Sequence, residues 1–276
     1  MEYSEAGLPP EMSGAESLTV DVAIANLSHQ DYSLRYYAAW WIGRFRVKEP
    51  EAIAGLIAAL EEESELTLAG DYSLQRNAAR ALGKLEDKQA IPTLIKCLEC
   101  SDYYVREAAV QALEMLGDRT VIPALVKLLE GGLAAAVRVP GKPHLVQPYD
   151  AVIEALGTLQ ARSATDLIAP FLDHPVERVQ YAAARAMYQL TGQAVYGDRL
   201  VQALEGGDLQ LRRSALMDLG AIGYLPGAVA IAETLAENSL KLIALKGILE
   251  HHLNQTPSLY LSDESVQVMT LMDSLL

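Results

Sequence analysis

The 276-residue chain has little of several things, and each shortage closes off a class of function. Hydrophobic residues make up 51% of it, yet no run of about eighteen apolar residues occurs, so no membrane span is expected. The opening Met1-Glu2-Tyr3-Ser4-Glu5 has neither a basic stretch nor an apolar one, and no export signal is expected. Cysteine is limited to Cys97 and Cys100, which with no export signal points to a reducing, cytoplasmic compartment. Lys and Arg number 22 against 36 Asp and Glu. The resulting net charge of −14 is the wrong sign for the counterion release that drives nucleic-acid binding. No glycine-rich phosphate loop, H-E-x-x-H or G-x-S-x-G is found. Phe is almost missing, at 2 residues, whereas Tyr reaches 13, and a ring that keeps its hydroxyl suits a wet surface.

What is present is repetition. Residues 1–19, with Gly7, Pro9, Pro10 and Gly14, read as a flexible tail, and helical periodicity begins near Leu18. A Leu-Gly-like pair then recurs at Ile42-Gly43, Leu82-Gly83, Leu113-Glu114, Leu156-Gly157, Met187-Tyr188 and Leu219-Gly220. The spacings are 40, 31, 43, 31 and 32 residues, a base period near 31 with two insertions, near 61–70 and 131–146. Seven residues before each landmark stand Arg35, Gln75, Arg106, Tyr149, Gln180 and Arg212. Four residues earlier, Asp31, Asp71, Asp102 and Asp208 are placed to cap a helix and to meet an Arg one turn on or in the next repeat. The other half of the unit opens with Ile91-Pro92 or Ile122-Pro123, and Pro is at home in a first helical turn. A helix-turn-helix this short cannot bury its apolar stripe alone, so the copies must stack. The expected fold is all-α, a helical-repeat solenoid of about six to seven helix pairs over residues 20–250, with residues 251–276 as a capping or partner-binding helical segment.

The copies differ where the chain adds something. Two residues before the landmark, the later copies carry Arg80, Gln111, Glu154, Arg185 and Met217, a mostly polar, water-facing position; the first copy has Trp40. Tyr36, Trp40 and Arg44 fall at i, i+4 and i+8, one stripe along one helix. Trp41 stands where other copies have Ala81, Ala112, Ala155 and Ala186, and is expected to fill space at the open end of the stack. The longer insertion, with Pro140-Gly141-Lys142-Pro143, cannot be helical. It brings Arg138, Lys142 and His144 beside Tyr149 and Asp150 at the start of the next helix, and a loop that interrupts a regular array usually carries binding. Cys97-Leu-Glu-Cys100 lacks both a βαβ context and a second ligand pair, His251-His252 reads as a surface pair, and no metal site is expected.

Val105-Arg-Glu-Ala-Ala-Val-Gln-Ala-Leu-Glu-Met-Leu-Gly-Asp118 resembles the HEAT-like repeat of phycobilisome lyases, departing at Glu114, where the family has Gly. Leu34-Arg-Tyr-Tyr-Ala-Ala-Trp-Trp-Ile-Gly-Arg-Phe-Arg-Val47 and the stretch from His144 to Leu159 resemble, more specifically, the E-type subunits of the E/F-type phycocyanobilin lyases of cyanobacteria. The resemblance implies a HEAT-like solenoid whose Val-Arg helices line a concave face, working as a heterodimer with an F-type subunit in the cyanobacterial cytosol. It implies a carbon–sulfur lyase that joins phycocyanobilin by a thioether to a cysteine of the phycocyanin alpha chain. Phycocyanobilin is then a substrate, with no permanently bound cofactor. The nucleophile belongs to the acceptor, so the lyase mainly orients the bilin. On that basis Tyr36, Trp40 and Tyr149 are expected to stack on pyrroles, and Arg44, Arg46 or Lys142, with His144 nearby, to meet the propionates. Asp150 is expected to bond or protonate the bilin. The same features also suit a non-catalytic scaffold or chaperone for a phycobiliprotein, or the related subunit acting on phycoerythrocyanin.

Overall fold

A computed structural model describes residues 18–62, 72–255 and 260–276. Most of the expected tail, most of the insertion near 61–70 and the Asp71 cap lie outside the described residues. The first four helices are α1 (Val20–Asn26), α2 (Tyr32–Phe45), α3 (Pro50–Glu61) and α4 (Ser73–Leu85). Next come α5 (Ile91–Cys97), α6 (Tyr103–Leu116), α7 (Ile122–Lys127), the short α8 (Gly132–Ala135) and α9 (Tyr149–Thr158). The rest are α10 (Thr165–Ile168), α11 (Glu177–Thr191), α12 (Ala194–Ala203), α13 (Leu209–Ile222), α14 (Ala228–Glu233), α15 (Asn238–Gln255) and α16 (Asp263–Asp273).

The landmark helices stack on one another in the order α2, α4, α6, α9, α11, α13, α15, and form one layer. The Pro-led helices α3 and α5, joined by α7, α10, α12 and α14, cover its other side. This is the two-layer helical array that the repeat spacing predicts. The landmark glycines are the points of closest approach. A Cβ on Gly43 would lie 2.8 Å from Ala81 Cα, one on Gly83 2.8 Å from Ala112 Cα and one on Gly157 2.7 Å from Ala186 Cα. Small residues on both helices are therefore required at these junctions. Glu114 and Tyr188 replace the glycine at the α6–α9 and α11–α13 junctions, and there other side chains fill the space between the helices.

Asp31, Asp102 and Asp208 cap their helices, accepting backbone N–H bonds from Ser33 at 2.8 Å, Val105 at 2.9 Å and Gln210 at 2.7 Å. They do not form the expected ion pairs with the repeat arginines. Those arginines lie against turns: Arg35 reaches the Leu27 carbonyl at 3.1 Å and also pairs with the Glu62 carboxylate, and Arg106 reaches the carbonyls of Cys100 at 2.6 Å and Ser101 at 3.0 Å. A guanidinium with five donors can serve a turn carbonyl and a further partner at once.

Candidate functional site

The longer insertion is a pinned hairpin. Arg138 and Leu145 pair in an antiparallel bridge, Val146 N–H donates to Val137 O at 3.0 Å and Val139 N–H to His144 O at 3.1 Å. Gly141, at φ +72°, makes the turn. Arg106 of α6 donates to Gln147 Oε1 at 2.9 Å and Val146 O at 2.8 Å. From the other side, the buried His174 holds the start of the insertion. Its Nδ1 accepts from Val176 N–H at 3.0 Å, so the proton sits on Nε2, which donates to Ala136 O at 2.8 Å. Leu145 and Ala136 are buried, while Pro140 to Pro143 stand in solvent.

Held this way, the hairpin walls a cleft of about 220 Å³ against α6, α9 and the start of α11. Tyr103, Tyr104 and Glu107 come from α6, Arg138, Pro143 and His144 from the hairpin, Asp150 from α9 and Arg178 from α11. The His144 ring stacks on Tyr103 at 4.2 Å between centroids and 14° between planes, and meets Tyr104 edge-on at 5.8 Å. His144 Nδ1 lies 2.8 Å from Leu145 O, which can only accept, so Nδ1 carries a proton and Nε2 is left for a ligand. Arg76 of α4 lies over the Tyr104 ring at 5.5 Å. Asp150, 6% exposed, pairs with Arg178 Nε at 2.5 Å. Glu107 makes no hydrogen bond or ion pair to another described residue. Burial and then the neighbouring Asp150 push its carboxyl above the usual carboxylate range. Burial, then Asp150, also raises the Tyr103 phenol.

Deeper in the same layer, Arg185 of α11 joins four helices. It meets Asp218 of α13 at 3.2 Å, Glu154 of α9 at 3.4 Å and Glu114 of α6 at 3.4 Å. Thr158 Oγ1 donates to Glu114 at 2.7 Å. Three carboxyls share one guanidinium. Burial raises Asp218 to about 6, and burial together with Asp218 raises Glu154 to about 8. The position expected to face water is thus, at Glu154 and Arg185, turned into a bridge between helices.

The repeats themselves are shared by many scaffolds; residues 34–62 match the family described as PBS lyase HEAT-like repeat, and residues 64–138 match HEAT repeats. Over 260 residues the chain is 64% identical to the phycocyanobilin lyase subunit alpha of Nostoc sp., covering 94% of each. It is 62% identical to that of Synechocystis sp., covering 94% of this chain and 96% of the other. The chain belongs to the phycocyanobilin lyase alpha subunits. A solved complex of CpcE and CpcF of phycocyanin lyase from Nostoc sp. contains a chain 61% identical to this one, with a TM-score of 0.89 over 99% of this chain and 100% of that one. The bilin biosynthesis protein PecE of Nostoc sp. is more distant, 43% identical over 88% of this chain and 91% of its own.

Within this lyase alpha subunit the residues singled out from the sequence fall into two groups, with α4 and α6 stacked between their helices. On α2, Tyr36 and Trp40 are 41% and 44% exposed, Trp40 stacks on Tyr37 at 5.4 Å, and Arg44 is exposed beside them. Trp41 is half-buried, its ring 4.7 Å from that of Phe45. Arg46, the other propionate candidate from this stretch, lies off the stripe. It takes a left-handed conformation at the helix end and pairs with Glu86 at 3.7 Å. In the second group His144 and Asp150 line the cleft. Lys142 stands at the exposed tip of the hairpin, and the hairpin residue that brings a cation to the cleft is Arg138. Tyr149 is not available for stacking: it is 2% exposed and packs on Phe171 at 5.5 Å. It occupies the register of Arg35 and Gln75, which are buried too, and having no guanidinium to reach turn carbonyls, it turns its ring into the core.

Sequence reasoning missed Tyr103, Tyr104 and Arg178. One signal was there: Tyr32, Tyr72 and Tyr103 share a register, and the insertion falls just where the fourth tyrosine would be. Tyr32 and Tyr72 use their hydroxyls on Ser73 and Ser101, each at 3.3 Å, in the next repeat. Tyr103 has the hairpin as its neighbour instead, and offers its face to His144. Among the described residues no His, Cys, Asp and Glu group is arranged to hold a metal ion, and no helix is long and apolar enough to cross a membrane. Cys97 is buried, and burial pushes its thiol up to about 12, far from a reactive thiolate.

Proposed function

We propose that this chain is the alpha subunit of a cytosolic, heterodimeric lyase that attaches phycocyanobilin, through a thioether, to a cysteine of the phycocyanin alpha chain. A CpcF-type subunit is its partner and the bilin is a substrate, not a resident cofactor. The observation that carries the reading is the likeness, over essentially the whole of both chains, to a chain of the CpcE–CpcF complex. The higher identity to phycocyanobilin lyase alpha subunits than to PecE favours phycocyanin over phycoerythrocyanin as acceptor.

The geometry suits that chemistry. The cleft offers aromatic faces for conjugated rings, carboxyls for pyrrole N–H groups, and Arg138 and Arg178 for propionates. The exposed Tyr36, Trp40 and Arg44 continue an accessible surface two helices away, about 20 Å at ordinary helix spacings. A flexible tetrapyrrole or part of its acceptor is held between them. The work is orientation, because the thiolate comes from the acceptor.

The test is reconstitution. The chain, a CpcF-type partner, phycocyanobilin and apo phycocyanin alpha chain are mixed, and denaturation-resistant bilin on the acceptor is measured, omitting each protein in turn. Product is expected only with both subunits, and Trp40→Ala is expected to slow it without unfolding the array. Equal product in the absence of this chain would reduce it to a scaffold.

A further inference from the structure

We propose that Glu107 delivers the proton when the acceptor thiol adds to the bilin, while Asp150 is taken up by its pairing with Arg178. The inference rests on the reading of the cleft as a bilin site. Both carboxyls line that cleft, and their surroundings divide the work between them. Asp150 is buried and committed to the Arg178 guanidinium at 2.5 Å. Glu107 is half-buried and makes no hydrogen bond or ion pair to another described residue, so its carboxyl is the one with an open valence towards whatever enters.

The groups that surround Glu107 come from every element packed around the cleft. The charge of Arg80 on α4 acts on it, and on the same helix Arg76 stands over Tyr104. Asp150 faces it from α9, Arg178 from α11 and His144 from the hairpin, with Arg138 on the same wall. On its own helix, Tyr103 and Tyr104 flank it. Burial and the Asp150 charge raise the carboxyl, while Arg178, Arg80 and His144 lower it, and the balance is upward. The carboxyl tied to a guanidinium is the fixed group of the pair, and the one without a partner is free to act on a ligand.

The step balances without a further reagent. The acceptor thiol loses its proton to solvent and becomes the nucleophile. Its electron pair forms the carbon–sulfur bond at the ethylidene carbon. The ethylidene π pair passes into the conjugated ring system and is quenched by the proton of Glu107. The carboxylate left behind regains a proton from solvent, so the sum is addition of S and H across one C=C bond.

The test uses the heterodimer with phycocyanobilin and apo phycocyanin alpha chain. Single-turnover transfer is measured against pH, and bilin affinity and absorbance are measured separately, for Glu107→Gln, Glu107→Asp and Tyr104→Ala. Glu107→Gln is expected to bind bilin within about threefold of the parent but to transfer about 10²- to 10³-fold more slowly. It is also expected to lose the decline in rate at alkaline pH, which Glu107→Asp restores at a shifted position. If Tyr104→Ala alters the bound-bilin spectrum while Glu107→Gln transfers at the parental rate with the same pH profile, the site stands and the role of Glu107 falls. Loss of bilin affinity in both Glu107 variants makes it a binding group and also overturns the proposal. If bilin affinity and absorbance are untouched in all three variants, the cleft is not the bilin site and both readings fall.

Discussion

Two kinds of junction occur along the landmark layer, and they do different things. At α2–α4, α4–α6 and α9–α11 a glycine meets an alanine backbone so closely that not even a methyl group fits. At α13–α15, Gly220 meets Ala244 in the same way. At α6–α9 and α11–α13 the glycine is Glu114 or Tyr188. There the space holds the Arg185 network and the Tyr188–Tyr224 pair, whose centroids are 5.2 Å apart. The buried apolar residues form two clusters that meet on α11, the helix of Arg185. The close junctions hold the array together. The filled ones accommodate charge, and the insertion and its cleft lie at the first of them.

The comparison breaks most severely at Arg185. Arg185→Met leaves Glu114, Glu154 and Asp218 facing one another with no cation. It is expected to cost about 3 to 5 kcal/mol in urea unfolding at neutral pH, the range for removing one partner of a buried pair. Two carboxyls of this network, Glu154 and Asp218, are raised in the folded state, so the fold binds protons that the unfolded chain releases. That contribution is fully present below the ordinary carboxylate pKa of about 4.5 and is lost as pH rises through the folded value of Glu154, about 8. Stability of the parent should therefore fall between roughly pH 5 and pH 8, and Glu154→Gln should flatten that slope. A slope unchanged by Glu154→Gln would place the proton elsewhere.

A smaller effect is expected at the close junctions. A Cβ at residue 83 would sit 2.8 Å from Ala112 Cα, so Gly83→Val must push two helices apart and is expected to cost about 1 to 3 kcal/mol. Glu114→Ala, at the same register of the next copy, removes one of three carboxyls around a single cation. It is expected to change stability by less than about 1 kcal/mol. Equal costs at 83 and 114 would mean that the two kinds of junction are not different in kind.

The array was readable because a repeat is its own control: six copies state which positions are small, capped or apolar. That Ala81 and its equivalents are a small position follows from the copies; that Gly43 is what meets Ala81 comes from the fold. The stripe of Tyr36, Trp40 and Arg44 was readable for the same reason, as a departure from its equivalents. What comparison of copies does not reveal is a site built where the copies stop matching. Tyr103 looks like Tyr32 and Tyr72 until the hairpin removes its partner. Arg178, next to Glu177 in the first turn of α11, has no distinguishing pattern until the fold sets it against Asp150. Tyr149 misled in the opposite way: its place beside the insertion pointed to a ligand, whereas its register, shared with the buried Arg35 and Gln75, pointed to the core.

The smallest expected effect is at that tyrosine register. The Tyr32 hydroxyl accepts from Leu74 N–H at 2.8 Å, at the unpaired start of α4. Tyr32→Phe strands that donor, loses the longer Ser73 bond as well, and is expected to cost about 1 kcal/mol. The Tyr103 hydroxyl makes no hydrogen bond to another described residue, so Tyr103→Phe is expected to change the urea midpoint by less than about 0.5 kcal/mol. Its consequence belongs to the cleft: the ring still stacks on His144, but the phenol beside Glu107 is gone, and the absorbance of bound phycocyanobilin should shift. The pair of substitutions removes the same atom from the same repeat position. A stability loss at residue 103 equal to that at residue 32 would show that the third tyrosine still ties repeats together, whereas a spectral change with no stability loss is what a position released from the array and taken over by the site requires.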